Sequence, residues 1–191
     1  MRGLVNEFGP LSLKTRRPGR PTDAYGVLVR SIVGQQLSTR AADKIYGRVV
    51  DLFGGDVPQP KRLIAADPDA LRGAGLSRAK VAYLRDLAER VEDGELDLDR
   101  LAELPDEGVS EQLTMVKGIG QWSADMFLIF HLGRPDVLAV GDLGIRRAVE
   151  LAYGLKKIPD PKEVVRIGEP WRPYRSLACL YLWTSLQNAP V

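Results

Sequence analysis

The stretch LTMVKGIGQWSADMFLIF, Leu113 to Phe130, constrains this chain more than any other. Helical apolar spacing runs into Lys-Gly-Ile-Gly and resumes at once with a tryptophan. Gly118 and Gly120 permit positive φ and close backbone approach, so VKGIGQ can reverse the chain within a few residues while Ile119 plugs inward. The restarting helix, expected from Gln121 to about His131, would present its first amide hydrogens and the positive end of its dipole at the turn, which suits a phosphate. The stretch reads as helix, tight hairpin, helix. A hairpin built only for packing would carry the same glycines, so the surrounding sequence has to separate the two readings.

That surrounding sequence is helical throughout. No window alternates cleanly with β-branched residues, whereas the spacing of Tyr25, Leu28, Val29, Ile32 and Val33, and of Ala41, Ile45, Val49 and Leu52, predicts two helices. Thr22 or Asp23 can cap the first, and GQQLST is a break from which Ser38 caps the second. Two very short helices in PKRLIAADPDALRGAG are stopped by glycine. A longer helix begins at Ser77, with Val81, Leu84, Leu87, Ala88 and Val91 on one face. DLDRLAEL is another short helix, and DLGIRRAVELAYG and PYRSLACLYLWTSLQ complete eight to ten. The expectation is an all-α protein in which residues 1–21, with their RRPGRP segment, form an arm rather than a packed element.

Composition narrows the function classes without choosing among them. The net charge is +2, from 27 Lys and Arg against 25 Asp and Glu. Its distribution is uneven: Lys14, Arg16, Arg17 and Arg20 make a basic start, Arg146, Arg147, Lys156 and Lys157 follow, and Glu95 to Glu111 is mostly acidic. The lone Cys179, in LACLYLW, excludes a disulfide within the chain and a cysteine-rich zinc or iron-sulfur site. The N-terminal residues hold no long apolar run, so neither a secretory signal nor a membrane span is expected. A cytoplasmic protein is the expectation, nucleoid-associated in a prokaryote.

The span LTMVKGIGQWSADMFLIFHLGRPDVLAVGDLGIRRAV resembles the helix-hairpin-helix and the following Gly/Pro-rich loop with aspartate of the helix-hairpin-helix DNA glycosylases. The likeness is strongest to the alkylbase branch, DNA-3-methyladenine glycosylase II. It extends to VRSIVGQQLSTRAADKI, GLSRAKVAYLRDLA and PWRPYRSLACLYLW, and so covers most of the chain from about residue 22. The resemblance implies a two-lobed glycosylase fold with a DNA cleft between the lobes and without the extra N-terminal β domain that this branch often carries. Residues 38–131 would form the middle lobe, and residues 22–37 with 132–191 the second. The implied activity is hydrolysis of the N-glycosidic bond of alkylated bases in duplex DNA, by a monomer that flips the damaged nucleotide out of the stack.

On this resemblance Asp142 is the catalytic carboxylate, stabilising an oxocarbenium-like sugar and orienting water. Read from its neighbours alone, Asp142 opens DLGIRRAV and is equally an ordinary helix cap. Trp122 and Trp183 correspond to base-pocket positions, where an indole face suits a cationic ring. Met126 and Leu143 stand where relatives carry aromatics, which leaves the range of lesions open. Strand-cutting relatives have a lysine at the place of Trp122; its absence implies a monofunctional enzyme.

Gly118, Ile119, Gly120, Lys117, Gln121 and Ser123 would lie at the DNA backbone, with a Na+ or K+ ion held by the carbonyls of Thr114, Val116 and Ile119. From GQQLS, Gln36 would fill the gap left by the flipped nucleotide and Gln35 would support it. Asp125 reads as a helix-dipole or hairpin contact, His131 as structural, and Arg78 and Lys80 as further backbone contacts or an exposed face. No catalytic cofactor and no iron-sulfur cluster are expected. Two other functions fit the same letters: a non-catalytic helix-hairpin-helix DNA-binding protein, and a glycosylase for oxidised, deaminated or mismatched bases.

Overall fold

A computed structural model describes residues 1–13 and 20–186. Lys14, Arg16 and Arg17 of the basic start lie outside the described residues. Within them there is no strand, and eleven α-helices follow one another. No helix among the described residues is long and apolar enough to cross a membrane. The chain divides into two compact units, one of residues Arg17–Ala124 and the other of Met1–Arg16 with Asp125–Val191.

The unit Arg17–Ala124 contains α2 (Ala24–Gly34), α3 (Thr39–Leu52), α4 (Pro60–Ala65), α5 (Pro68–Gly73), α6 (Arg78–Glu92) and α7 (Asp106–Thr114). Its helix starts follow from local chemistry. Asp23, Ser38 and Ser77 each accept an amide hydrogen bond from the first turn of α2, α3 and α6. Leu28, Val29, Ile32 and Val33 of α2 meet Val81, Leu84, Leu87 and Ala88 of α6 in a fully closed core, with α4 packed on α6. Leu52, expected on the inner face of α3, instead turns outward, because Tyr46, Val49 and Phe53 already fill the inner stripe. The short helix expected in DLDRLAEL is a single 3-10 turn, Leu101–Glu103.

The second unit contains α1 (Arg2–Phe8), α9 (Leu143–Tyr153), α10 (Pro161–Gly168) and α11 (Arg175–Ser185). Its core is Ile145, Ala148 and Val149 of α9 against Ala178, Cys179, Leu182 and Trp183 of α11. Burial pushes the Cys179 thiol up to about 12, so it is an inert core group.

Two expectations are corrected here. The N-terminal arm is not an arm over its first residues: Arg2–Phe8 form α1, which packs on α11, and the Tyr181 hydroxyl donates to the Gly9 carbonyl at 2.7 Å and accepts from the Leu11 amide at 3.2 Å. In addition, residues 22–37 cluster with residues 38–124 rather than with the C-terminal helices, because the apolar stripe of α2 is spent on α3 and α6.

Candidate active site

In the unit Arg17–Ala124 the hairpin has the expected form. Gly118 sits at φ +81°, Ile119 is 4 % exposed, and the Ile119 amide closes the turn on the Val116 carbonyl at 3.0 Å. The two glycines differ in what they do. A β-carbon on Gly118 would stand 2.2 Å from the Tyr83 ring, whereas one on Gly120 would meet nothing within 4 Å. Gly118 is therefore required by the protein's own packing, while Gly120 leaves an open surface beside the turn. α8 (Gln121–Met126) starts directly there, with the Ala124 amide bonded to the Gly120 carbonyl at 3.1 Å.

Several side chains expected at the DNA backbone are engaged within the protein. The Lys117 amide donates to Asp86 Oδ2 at 2.9 Å and its ammonium to Oδ1 at 2.9 Å. Burial works to raise the Asp86 pKa, but hydrogen bonds from the Lys117 amide and ammonium and from Arg90 outweigh it and hold the carboxyl below the usual range. Gln121 reaches Ser110 Oγ at 3.3 Å, and Ser123 is buried. Lys80, expected on the outside, turns its ammonium inward to the Val33 and Gln35 carbonyls. Gln35 Nε2 donates to the Gly118 carbonyl at 2.8 Å, while the Gln36 side chain is exposed. Trp122 is 44 % exposed, a large apolar surface beside the hairpin.

The carbonyls of Thr114, Val116 and Ile119 belong to this turn. The Val116 carbonyl accepts the Ile119 amide at 3.0 Å, and a carbonyl oxygen has a second lone pair that a cation could take. A donor set of main-chain oxygens fits Na+ or K+ better than a transition metal.

The other unit carries the carboxylate. Asp142 is the N-cap of α9, with φ −74° and ψ 119°, and its Oδ1 accepts the Ile145 amide at 2.7 Å. Trp183 Nε1 donates to the same oxygen at 3.1 Å. Helix geometry at the N-cap and the indole hydrogen bond together fix the orientation of one carboxylate oxygen. Leu143, next in the chain, is 62 % exposed.

Trp183 departs from expectation: it is 2 % exposed, so its indole is a core element that acts on Asp142 through its N–H and offers no open face. The reason lies in α11, which packs against both α1 and α9 and has little surface left. Phe130 is the exposed aromatic there, 38 % exposed, with its ring 5.8 Å from that of Trp183. The sequence reading missed it because the helix was expected to run regularly to His131. Instead Phe127–His131 is π-helical, with the Leu132 amide bonded five residues back to the Phe127 carbonyl. That widened turn buries Phe127, Leu128 and Ile129 in succession and leaves Phe130 outside. Met126 is half-buried in this unit, Asp125 is buried, and the His131 ring packs on Phe127 at 4.5 Å.

The loop that delivers Asp142 is anchored. Arg175 Nε binds Asp136 Oδ1 at 2.7 Å, Arg172 Nη1 binds Oδ2 at 2.7 Å, and Ser176 Oγ accepts the Val137 amide at 2.9 Å. Burial pushes the Asp136 pKa upward, but the Arg175 and Arg172 guanidinium groups prevail and lower it.

Residues 29–173 match the model of the HhH-GPD superfamily of base excision DNA repair proteins. The chain is 36 % identical over 189 residues to DNA-3-methyladenine glycosylase 1 of Schizosaccharomyces pombe, covering 97 % of this chain and 80 % of that one. Among solved structures it resembles a DNA-3-methyladenine glycosidase from Bacillus halodurans, with 43 % identity and a TM-score of 0.84 over 96 % of this chain and 82 % of the other. It also resembles the Schizosaccharomyces pombe 3-methyladenine DNA glycosylase solved with abasic DNA, at 32 % identity and a TM-score of 0.82, covering 97 % and 90 % of the two chains. On the matched family model and these similarities, the chain belongs to the HhH-GPD superfamily of base excision DNA repair proteins.

Proposed function

We infer that this protein is a monofunctional DNA glycosylase that hydrolyses the N-glycosidic bond of alkylated bases of the 3-methyladenine and 7-methylguanine type. The observation that carries the reading is Asp142, held as an oriented carboxylate at the start of α9 by the Ile145 amide and the Trp183 indole. It stands in a chain similar to 3-methyladenine glycosylases over nearly its whole length.

A methylated purine of this type carries positive charge, so its bond to C1′ of the sugar breaks with the electron pair moving onto the base, which leaves neutral. The sugar is left as an oxocarbenium ion. The Asp142 carboxylate stabilises that charge, and a water adds to C1′ and gives its proton to the carboxylate. One carboxylate suffices because the leaving group needs no proton from a general acid. Trp122 has no amine and so forms no Schiff base with the sugar, which ends the reaction at an abasic site with an intact strand.

The partner in this reading is double-stranded DNA with the damaged nucleotide turned out of the stack. Gly120 and the start of α8 would receive a backbone phosphate, Trp122 would offer an aromatic face to the flipped base, and Gln36 would enter the vacated gap. The carbonyls of Thr114, Val116 and Ile119 would hold Na+ or K+ near that phosphate. A monomer acting on DNA in the cytoplasm or nucleoid is consistent with this chemistry.

The test is release of free base from methylated duplex DNA by wild type and by Asp142→Asn, with and without alkali. Base released by wild type alone, with strand breaks only after alkali, is the expected result. Binding of the duplex without release by either protein would return the chain to a DNA-binding module. Release of an oxidised, deaminated or mismatched base instead would reassign the lesion, and the aliphatic Leu143 beside Asp142 makes that panel worth including.

A further inference from the structure

One face of α6 holds both loops that the glycosylase reading turns toward DNA. Lys80, Tyr83 and Asp86 follow one another at three-residue spacing and therefore share that face. Asp86 takes the amide and the ammonium of Lys117, and Tyr83 lies over Gly118. Lys80 Nζ donates to the Val33 carbonyl at 2.8 Å and the Gln35 carbonyl at 2.6 Å, closing the C-terminal end of α2. Gln35 Nε2 then crosses to the Gly118 carbonyl at 2.8 Å, which joins the two loops.

The residue after Gln35 is in an unusual state. Gln36 has φ +58°, and it is the one non-glycine residue with positive φ recorded among the described residues. A β-carbon resists the left-handed region, so a residue kept there is held by its surroundings. The holding contacts are visible: Lys80 on the preceding carbonyl, and the Leu37 amide on the Gly34 carbonyl at 3.2 Å. Burial lowers the Lys80 pKa, as expected for an ammonium that has exchanged water for two carbonyls.

We propose that Lys80 is a positioning residue for the nucleotide gap: by gripping the carbonyl before Gln36 it keeps Gln36 left-handed, with its side chain presented outward. The Gln35 bridge ties that presentation to the hairpin, so the gap-filling side chain and the phosphate grip keep one register. The proposal rests on the reading of the chain as a base-excision glycosylase. Lys80 itself touches no DNA.

A double-mutant cycle separates this role from plain structural support. Fluorescence anisotropy would measure affinity for a duplex with a tetrahydrofuran abasic-site analogue and for the same duplex undamaged, using wild type, Lys80→Met, Gln36→Gly and the double variant. Wild type is expected to prefer the abasic duplex, and Lys80→Met to lose about tenfold of that preference. In the Gln36→Gly background, where the side chain and the need to hold it are both gone, Lys80→Met should change the preference by less than about twofold. Equal losses in the two backgrounds, or no loss from Lys80→Met, would overturn the proposal. If thermal melting shows Lys80→Met to be unfolded, Lys80→Gln takes its place in the same cycle. A wild type with no preference for the abasic duplex sinks the glycosylase reading itself, and this inference with it.

Discussion

The indole N–H of Trp183 and the Ile145 amide converge on one oxygen of Asp142, at 3.1 and 2.7 Å. A carboxylate with one oxygen doubly held cannot rotate freely, so its orientation is fixed by the fold. On the proposed glycosylase reading, the buried indole would serve the reaction through this hydrogen bond instead of through its face. Gly144 is part of the same arrangement, since a β-carbon there would stand 3.0 Å from Asp142 Oδ1.

Trp183→Phe keeps most of the buried ring and removes the N–H. A hydrogen bond to a charged group contributes about 1.5–3 kcal/mol, so base release should slow by roughly ten- to a hundredfold. Affinity for an undamaged duplex should stay within about twofold of wild type, because undamaged binding depends chiefly on phosphate contacts. Single-turnover rates alongside anisotropy would check this, and an equal loss in both would show that the substitution has damaged the fold instead.

Trp122→Ala should leave stability within about 1 kcal/mol, since the side chain is 44 % exposed and little packing is lost. Base release should nevertheless fall at least about tenfold, the order expected for losing an aromatic face from a cationic base. Thermal melting and base release together decide the matter: a large drop in melting temperature would make Trp122 a core residue.

The two hairpin glycines should separate cleanly on substitution. Gly118→Ala sets a β-carbon against Tyr83 in a left-handed turn and should cost about 2–4 kcal/mol of stability. Gly120→Ala meets open space and should change stability by about 0.5 kcal/mol or less, while weakening duplex binding where a phosphate would have to approach. Denaturant titrations read the first effect and salt-dependent anisotropy the second. Unchanged affinity in Gly120→Ala would remove that surface from the DNA interface.

Acid should loosen both units through identifiable groups. Asp86 and Asp136 have folded pKa values below the ordinary aspartate value of about 3.9. Their ion pairs therefore stabilise fully above that value, and the stability is lost as the pH falls through the lower folded pKa. The Lys117 ammonium is largely exposed and screened, so its backbone amide and Arg90 carry most of the Asp86 effect. Asp86→Asn should be less stable than wild type at neutral pH by about 1–3 kcal/mol, and the gap should close as the pH is lowered below about 4. Melting curves across that range test it, and a gap that persists in acid would mean the carboxylate charge is not what matters.

The sequence by itself determined the helical class, the caps at Ser38 and Ser77 and one at Thr22 or Asp23, the hairpin with Ile119 inside, and Asp142 at a helix start. Each is a matter of residues a few positions apart, where capping geometry and apolar periodicity act directly. Tertiary structure decided what depends on distant partners: Trp183 reaches Asp142 across 41 positions, Lys80 reaches Val33 across 47, and Asp86 reaches Lys117 across 31. It also decided that Phe130 faces outward, because the π-turn answers to how Phe127, Leu128 and Ile129 fit their core and leaves no mark in the spacing of letters. Local propensity chooses helices and turns, whereas packing chooses which polar groups must find partners once water is removed. That is why a tryptophan legible as an aromatic surface became, in the fold, the donor that holds the carboxylate.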